Sequence, residues 1–245
     1  MERFKSIKKT FAGVLLATFL FPTAMFAAGT GDDPTPTTYV PTAAESKALQ
    51  EKNLLAEQHA YGLRTFAQGE MKTLNVANFK QETSYWCGPA TVKQVVHFLN
   101  GSSQNQTFYA GKLGTTTDGT DFSKIPKVLN DYQTSNTYSY RSFDSNEFVT
   151  WQSVMILTTD WGYPAVLDLK ITPQNMPYYK SNVAGHILNT SGYDARNTSD
   201  TSSYRVRVTD PFDQGGRGET LGNKWYSMKG VWDANQAHFR KAVLW

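Results

Sequence analysis

The sequence QETSYWCGPA at residues 81–90 contains the only cysteine of the chain and leads into an amphipathic pattern. Apolar residues recur beyond it at i, i+3, i+4 and i+7, namely Val92, Val95, Val96 and Leu99, and Asn100-Gly101 supplies a stop. This pattern predicts a helix from about Gly88 to Asn100. Cys87 therefore stands at a helix N-terminus, where the positive end of the helix lowers a thiol pKa.

A thiolate at such a position is a nucleophile, and its own backbone N–H can face a developing oxyanion. The alternative is a small buried hydrophobic residue, which is what most lone cysteines are. The flanking residues favour the nucleophile.

A nucleophilic thiol needs a base, and the chain has four histidines. His59 lies in a predicted N-terminal helix, and His97 lies on the Cys87 helix about three turns away, so neither readily faces the thiol. His238 lies in a polar helical stretch near the C-terminus and is a poor reserve candidate. His186 opens an alternating run to Gly192 that predicts a strand. We therefore predict His186 as the base.

An orienting carboxylate comes from the next run, Tyr204 to Asp210, which also predicts a strand. If the two seven-residue runs pair antiparallel around the intervening loop, Gly192 lies opposite Tyr204 and His186 opposite Asp210. Directly opposed Cβ atoms are about 5 Å apart, so a carboxylate can hold the imidazole tautomer. Asp194 would lie at the wrong end of the hairpin.

These features together resemble the bacteriocin-processing, double-glycine peptidases, cysteine peptidase family thirty-nine. The resemblance rests on two groups of residues. In the first, Gln81 is separated by five residues from Cys-Gly-Pro-Ala, which opens a short amphipathic helix that ends in Gly. In the second, a Gly-His pair is followed six residues later by Gly-Tyr. It covers roughly Leu74 to Trp245. It includes Gly119-Thr120, a predicted helix from Phe122 to Asn130 and a predicted strand from Tyr163 to Leu169; Leu74 to Val76 alternates as a further short strand.

The resemblance implies an α+β, papain-like fold in which the Cys-bearing helix packs on an antiparallel sheet bearing the His and the Asp. It implies that Cys87 attacks, His186 is the base, Asp210 orients it and Gln81 donates to the oxyanion. The best-known members are cytosolic domains fused to transporters and trim leader peptides, so that specificity is not carried over to a chain with an export signal.

Composition narrows the classes of partner. The net charge of +3 is already supplied by the first ten residues, and the remainder is neutral, which lacks the electrostatic footprint of a nucleic-acid binder. One cysteine cannot form an intramolecular disulfide or a thiolate zinc cluster. We therefore expect no metal or other cofactor, and a peptide or protein as substrate.

The N-terminus predicts export. A cationic start and an apolar run from Phe11 to Phe21 precede small residues up to Gly29, which predicts a signal peptide over residues 1–29 and a secreted protein. An uncleaved segment would instead anchor the chain to a membrane. Residues 30–42 read as an extended linker.

The remainder divides into two predicted parts. Residues 43–70 form a predicted helical segment that begins at the capping-box pattern of Thr42 and Glu45, and it is either a pro-segment or a helix packed on the domain. Residues 71–245 form the predicted peptidase domain. The leading function is a secreted thiol peptidase; an amidase or acyl transferase, or a non-catalytic binding domain of the same fold, are the alternatives.

Overall fold

The computed structural model describes residues 31–65, 69–196, 200–212 and 220–245. The predicted signal peptide lies outside these residues. Within the described ranges, no helix combines the length and the apolar character needed to cross a bilayer.

Helices and strands are mixed along the chain. The helices are α1 (Ala43–Thr65), α2 (Cys87–Asn100), α3 (Gln106–Leu113), α4 (Ile125–Tyr132), α5 (Phe148–Trp161) and α6 (Met228–Ala237). The strands are β1 (Met71–Thr73), β2 (Tyr140–Ser142), β3 (Val166–Ile171), β4 (Val183–Asp194), β5 (Arg205–Asp210), β6 (Gly222–Ser227) and β7 (Ala242–Leu244). This is an α+β chain.

Every strand pairing in the described part of the chain is antiparallel, and the strands form one sheet in the order β2-β7-β3-β4-β5-β6. β1 pairs separately with the far end of β4, where Met71 faces Asp194. The long strand β4 therefore has neighbours on both sides and carries His186 in the middle of the fold.

The sheet separates two apolar cores, as the alternation along β4 shows. Ile187 belongs to the core that contains Cys87 and the apolar side chains of α2, and Leu188 belongs to the core that contains those of α5 and α6. Successive strand residues point to opposite faces, so β4 contributes to both cores. The prediction of a cysteine-bearing helix packed on an antiparallel sheet is confirmed.

The predicted helix after Cys87 is present and ends as expected. Gly101 takes a φ of 74° at its C-cap, a left-handed conformation that glycine adopts without strain. The helix from Thr42 is also present, with a reciprocal capping box in which Glu45 Oε2 accepts from Thr42 N at 2.7 Å and Thr42 Oγ1 accepts from Glu45 N at 3.2 Å.

Three local predictions differ from the structure. Leu74 to Val76 is not a strand, since the pairing ends at Thr73 and Leu74 N makes a single further bond to Ser191 O. The helix predicted from Phe122 starts as a 3-10 turn, capped by Asp121, and becomes α-helical only at Ile125. β3 begins at Val166 rather than Tyr163.

Candidate active site

Cys87 is the first residue of α2 and is fully buried. Gly88 follows it because a Cβ there would lie 2.5 Å from Thr120 Oγ1, so a larger residue would push the helix away from Thr120. Thr91 Oγ1 donates to Ile187 O at 3.0 Å and fixes the first turn of α2 on β4. The nucleophile candidate is thus held rigidly beside the strand that carries His186.

The environment of the Cys87 thiol corrects one expectation. Burial raises its pKa well above the ordinary value, and the negative charges of Asp32 and Asp168 act in the same direction. The backbone N–H groups of Ile187 and Gly88 act in the opposite direction but are outweighed. The predicted low pKa of this thiol is therefore wrong for this conformation.

His186 and Asp210 are brought together, although not by the predicted register. β4 and β5 pair with Asn189 opposite Thr209 and Thr190 opposite Val208, whereas the prediction set His186 opposite Asp210. The ladder is shifted by two residues at this end, and a bulge between Thr190 and Gly192 shifts the remainder by one more.

A shift of two residues keeps the same face, because side chains alternate with a period of two. His186 and Asp210 therefore meet as a diagonal pair, and His186 Nε2 lies 2.8 Å from Asp210 Oδ1, with both side chains fully buried. Asp194, as expected, is remote from this pair: it faces Arg205 at the other end of β4 and binds Arg196.

Asp210 accepts three hydrogen bonds. In addition to His186, Phe212 N donates to its Oδ1 at 2.9 Å, and the Tyr179 hydroxyl donates to its Oδ2. Burial and the neighbouring Asp210 raise the pKa of Tyr179, so the hydroxyl stays protonated and remains a donor. No sequence pattern predicted a role for Tyr179, because it lies in an irregular segment before β4 where no periodicity marks it.

The tautomer of His186 follows from its partner. A carboxylate only accepts hydrogen bonds, so Nε2 carries the proton and Nδ1 of the neutral ring keeps its lone pair. Nδ1 is buried and has no hydrogen-bond partner among the described residues. The rings of Tyr179 and Phe212 contact the imidazole with centroids 6.2 and 5.6 Å away. His186 Nδ1 is therefore a basic nitrogen available to accept a proton, and in this conformation it does not bond the Cys87 thiol.

Gln81 lies beside the strand that ends in Asp210. Its backbone N donates to Pro211 O at 2.9 Å, and its side-chain Nε2 donates to Thr83 O at 2.8 Å, within its own loop. Gln106 braces this loop by accepting from Glu82 N and donating to Lys80 O. The buried Gln81 Oε1 has no partner among the described residues.

A second buried polar cluster contains Asp32, Asp168, His238 and Arg240. His238, predicted to lie within a polar helical stretch, is the C-cap of α6, and it contacts Asp32 at 2.9 Å and Asp168 at 3.2 Å. One ligand atom each from Asp32, Asp168 and His238 lie within 4.8 Å of one another, a spacing that a metal ion could use. Arg240 already places a cation between the two carboxylates, at 3.0 and 3.3 Å.

Comparison with known proteins places the chain in a family. A model described as the Peptidase_C39 like family matches residues 73–237, which include Gln81, Cys87, His186 and Asp210. The chain belongs to this Peptidase_C39-like family. The family resemblance and the fold class inferred from the sequence are therefore confirmed.

Two solved structures are similar to this chain at low sequence identity. The peptidase domain of Streptococcus ComA, a bi-functional ABC transporter involved in a quorum sensing pathway, is 14% identical with a TM-score of 0.43, covering 70% of this chain and 97% of that domain. A double glycine motif protease from an AMS/PCAT transporter, solved in complex with the leader peptide, is 12% identical with a TM-score of 0.42, covering 71% and 91%. No protein in the comparison with curated proteins matches the chain.

Proposed function

We propose that this chain is a secreted cysteine peptidase that hydrolyses peptide bonds through an acyl-enzyme. Cys87 is the nucleophile, His186 the general base and acid, Asp210 the orienting carboxylate and Gln81 a donor to the oxyanion. The observation that carries the proposal is the buried His186–Asp210 bond through Nε2, which leaves Nδ1 as the basic nitrogen.

In the first half of the proposed reaction, His186 moves the proton from the thiol to the leaving amine. His186 Nδ1 takes the thiol proton as Sγ attacks the carbonyl carbon, and the carbonyl electrons move to the oxygen. The Cys87 N–H at the start of α2 and the Gln81 amide stabilise that oxyanion. Collapse breaks the C–N bond, and the imidazolium gives its proton to the departing amine.

In the second half of the proposed reaction, water hydrolyses the acyl-enzyme and frees the Cys87 thiol. Nδ1 takes a proton from water, the oxygen attacks the thioester carbon, and the thiol leaves with the proton from the imidazolium. The Asp210 carboxylate orients the ring, while the Tyr179 hydroxyl and the Phe212 N–H donate to that carboxylate. The apolar rings around His186 keep this relay out of water.

The test is cleavage of defined peptide libraries by the purified full chain, with new termini identified by mass spectrometry. Cys87→Ser and His186→Ala should each abolish the cleavage, and Glu82→Gln, which changes a neighbouring exposed side chain, should retain it. Muropeptides tested in parallel separate a peptidase from a cell-wall amidase. Cleavage that survives Cys87→Ser would refute the proposal.

A further inference from the structure

The N-terminal segment of residues 31–37, here called the cleft segment, binds along the loop that precedes α4. Thr120 N donates to Gly31 O at 2.6 Å, and Asp33 N donates to Thr120 O at 3.0 Å, which forms a parallel bridge between Asp32 and Thr120. Further along, Thr37 Oγ1 donates to Asp121 Oδ1 at 2.8 Å. An extended peptide that binds by main-chain hydrogen bonds pairs in this way.

The cleft segment lies between the two elements that carry the proposed nucleophile and base. A Cβ on Gly31 would lie 1.9 Å from the carbonyl oxygen of Tyr85, two residues before Cys87. A Cβ on Gly185, the residue before His186, would lie 2.9 Å from Asp32 Oδ2. Cys87 and His186 are both fully buried. The cleft segment therefore packs against the loop before Cys87 and against the start of β4.

Asp32 is held by a preformed cationic pocket. Arg240 Nη1 lies 3.0 Å from both oxygens of Asp32, and His238 Nε2 lies 2.9 Å from Oδ2. The second terminal nitrogen of the Arg240 guanidinium, Nη2, donates to the backbone oxygens of Asp33 at 2.7 Å and Thr35 at 3.0 Å. The pocket thus binds one carboxylate and the backbone that follows it.

The pocket does not depend on Asp32 for its charge balance. Asp168 on β3 lies 3.3 Å from Arg240 Nη1 and 3.2 Å from His238 Nδ1, and it is fully buried. Because Asp168 belongs to the sheet, Arg240 keeps a buried counter-ion when the cleft segment leaves. An arginine without one would carry a large desolvation penalty.

We propose that Arg240 and His238 form a carboxylate-binding subsite of the active-site cleft, which selects peptides with a Gly-Asp pair, and that the chain's own Gly31-Asp32 fills it. This deepens the proposed function and rests on it for the identity of the substrate as a peptide. Glycine is selected because Gly31 has a φ of 97° and no room for a Cβ. Aspartate is selected by the buried guanidinium.

The first experiment measures how fast iodoacetamide alkylates Cys87, the only thiol, in the full chain. Asp32→Asn removes the charge that binds Arg240 and should speed alkylation by about tenfold or more, since opening of the cleft segment limits access. Loss of the Asp32 charge also lowers the pKa of the thiol, which acts in the same direction. Asp33→Asn is the matched control. Among the residues that the structure describes, that side chain accepts only from Thr35 N, within the cleft segment itself, so alkylation should stay at the wild-type rate.

A second variant separates opening of the cleft segment from the loss of the Asp32 charge. Gly31→Ala displaces the cleft segment by a clash with Tyr85 and keeps every charged side chain of the ion cluster in the sequence, so it should speed alkylation to a similar degree. Thermal melting confirms that each variant is folded. If the folded Gly31→Ala chain reacts at the wild-type rate, the cleft segment does not cover the thiol and the proposal is wrong, because any gain in Asp32→Asn then comes from the lost charge.

The second experiment adds peptides to the Asp32→Asn chain. A capped Thr-Gly-Asp-Asp-Pro-Thr peptide, which repeats residues 30–35, should slow alkylation back toward the wild-type rate. Peptides with Asn for the first Asp, or Ala for Gly, should not. Equal protection by all three peptides would overturn the Gly-Asp subsite.

The readout distinguishes this proposal from the peptidase proposal. Protection from alkylation without any cleavage would leave the subsite standing and refute the hydrolysis. Cleavage of other peptides, with no protection by the Gly-Asp peptide, would support the hydrolysis and refute the subsite.

Discussion

At the scale of single residues, the Cys87 thiol is under opposing influences. The start of α2 favours a thiolate, whereas complete burial and two nearby carboxylates favour the protonated thiol. Burial and the carboxylates outweigh the helix, so the pKa of Cys87 is raised. Because the raised pKa keeps the proton on sulfur, native Cys87 should alkylate only at pH values above about 8.5, where an ordinary thiol titrates. A pH titration of iodoacetamide labelling checks this, and labelling well below that value would contradict it.

The carboxylate that orients His186 can be tested with a matched pair of aspartates. Asp210→Asn removes the charge that fixes the Nε2–H tautomer and should lower kcat by roughly 10³ to 10⁴-fold, as loss of the triad aspartate does in serine peptidases. Asp194→Asn alters only a partly exposed pair with Arg196, at 3.0 Å, and should leave kcat unchanged. Both are measured on a peptide found by the library assay. The reverse ranking would show that the assignment of Asp210 is wrong.

Tyr179 is a positioning residue that acts through Asp210. Tyr179→Phe leaves Asp210 Oδ2 without its hydroxyl donor and should destabilise the fold by about 1–3 kcal/mol. We expect kcat to fall and KM to stay the same, because the side chain orients the base. Tyr226→Phe is the control, since this buried hydroxyl has no hydrogen-bond partner among the described residues. Equal effects of the two variants, in melting and in kcat, would exclude a special role for Tyr179.

At the scale of elements, α1 packs on the domain. Ala56 is fully buried in the core that contains Trp151, and Lys52 donates to Asn136 Oδ1 and Thr137 O, both at 2.8 Å. Burial lowers the pKa of Lys52 to about 7. These contacts favour a helix that contributes to the core, and whether residues 43–70 are also a pro-segment stays a prediction.

Ala56→Leu tests how firmly α1 is packed. Extra methyl groups at a fully buried position should destabilise the chain by about 1–3 kcal/mol, measured as a lower midpoint in urea. Ala44→Leu, on an exposed position of the same helix, should leave the midpoint unchanged. If Ala56→Leu also left it unchanged, α1 would be only loosely attached to the domain.

At the scale of the whole molecule, the position of the cleft segment sets a limit on processing. The predicted signal peptide ends before Gly31, the first buried residue of the described chain. Export should therefore remove about 24 to 29 residues and leave Gly31-Asp32 in place. Intact mass of the exported protein checks this prediction. A mature chain that starts after Asp32 would instead reach the medium with its cleft open, and a chain that retains Met1 would indicate a membrane anchor.

The sequence alone determined the elements whose signals are local. The apolar spacing after Pro89 predicted α2, Thr42 and Glu45 predicted the start of α1, and the order of Gln81, Cys87, His186 and Asp210 indicated the family. Each of these depends on residues close together in the chain or on a fixed order of residue types.

Only the tertiary structure decided how distant residues meet. The β4–β5 register includes a bulge that no residue pattern predicted. The pairing of His186 with Asp210 was nevertheless predicted correctly, because a register shift of two residues leaves both side chains on the same face of the sheet. The raised pKa of Cys87, the contact of Tyr179 with Asp210 and the burial of Asp32 against Arg240 all depend on packing between residues far apart in sequence. Burial and long-range charge are properties of the folded surroundings, so a local pattern does not encode them.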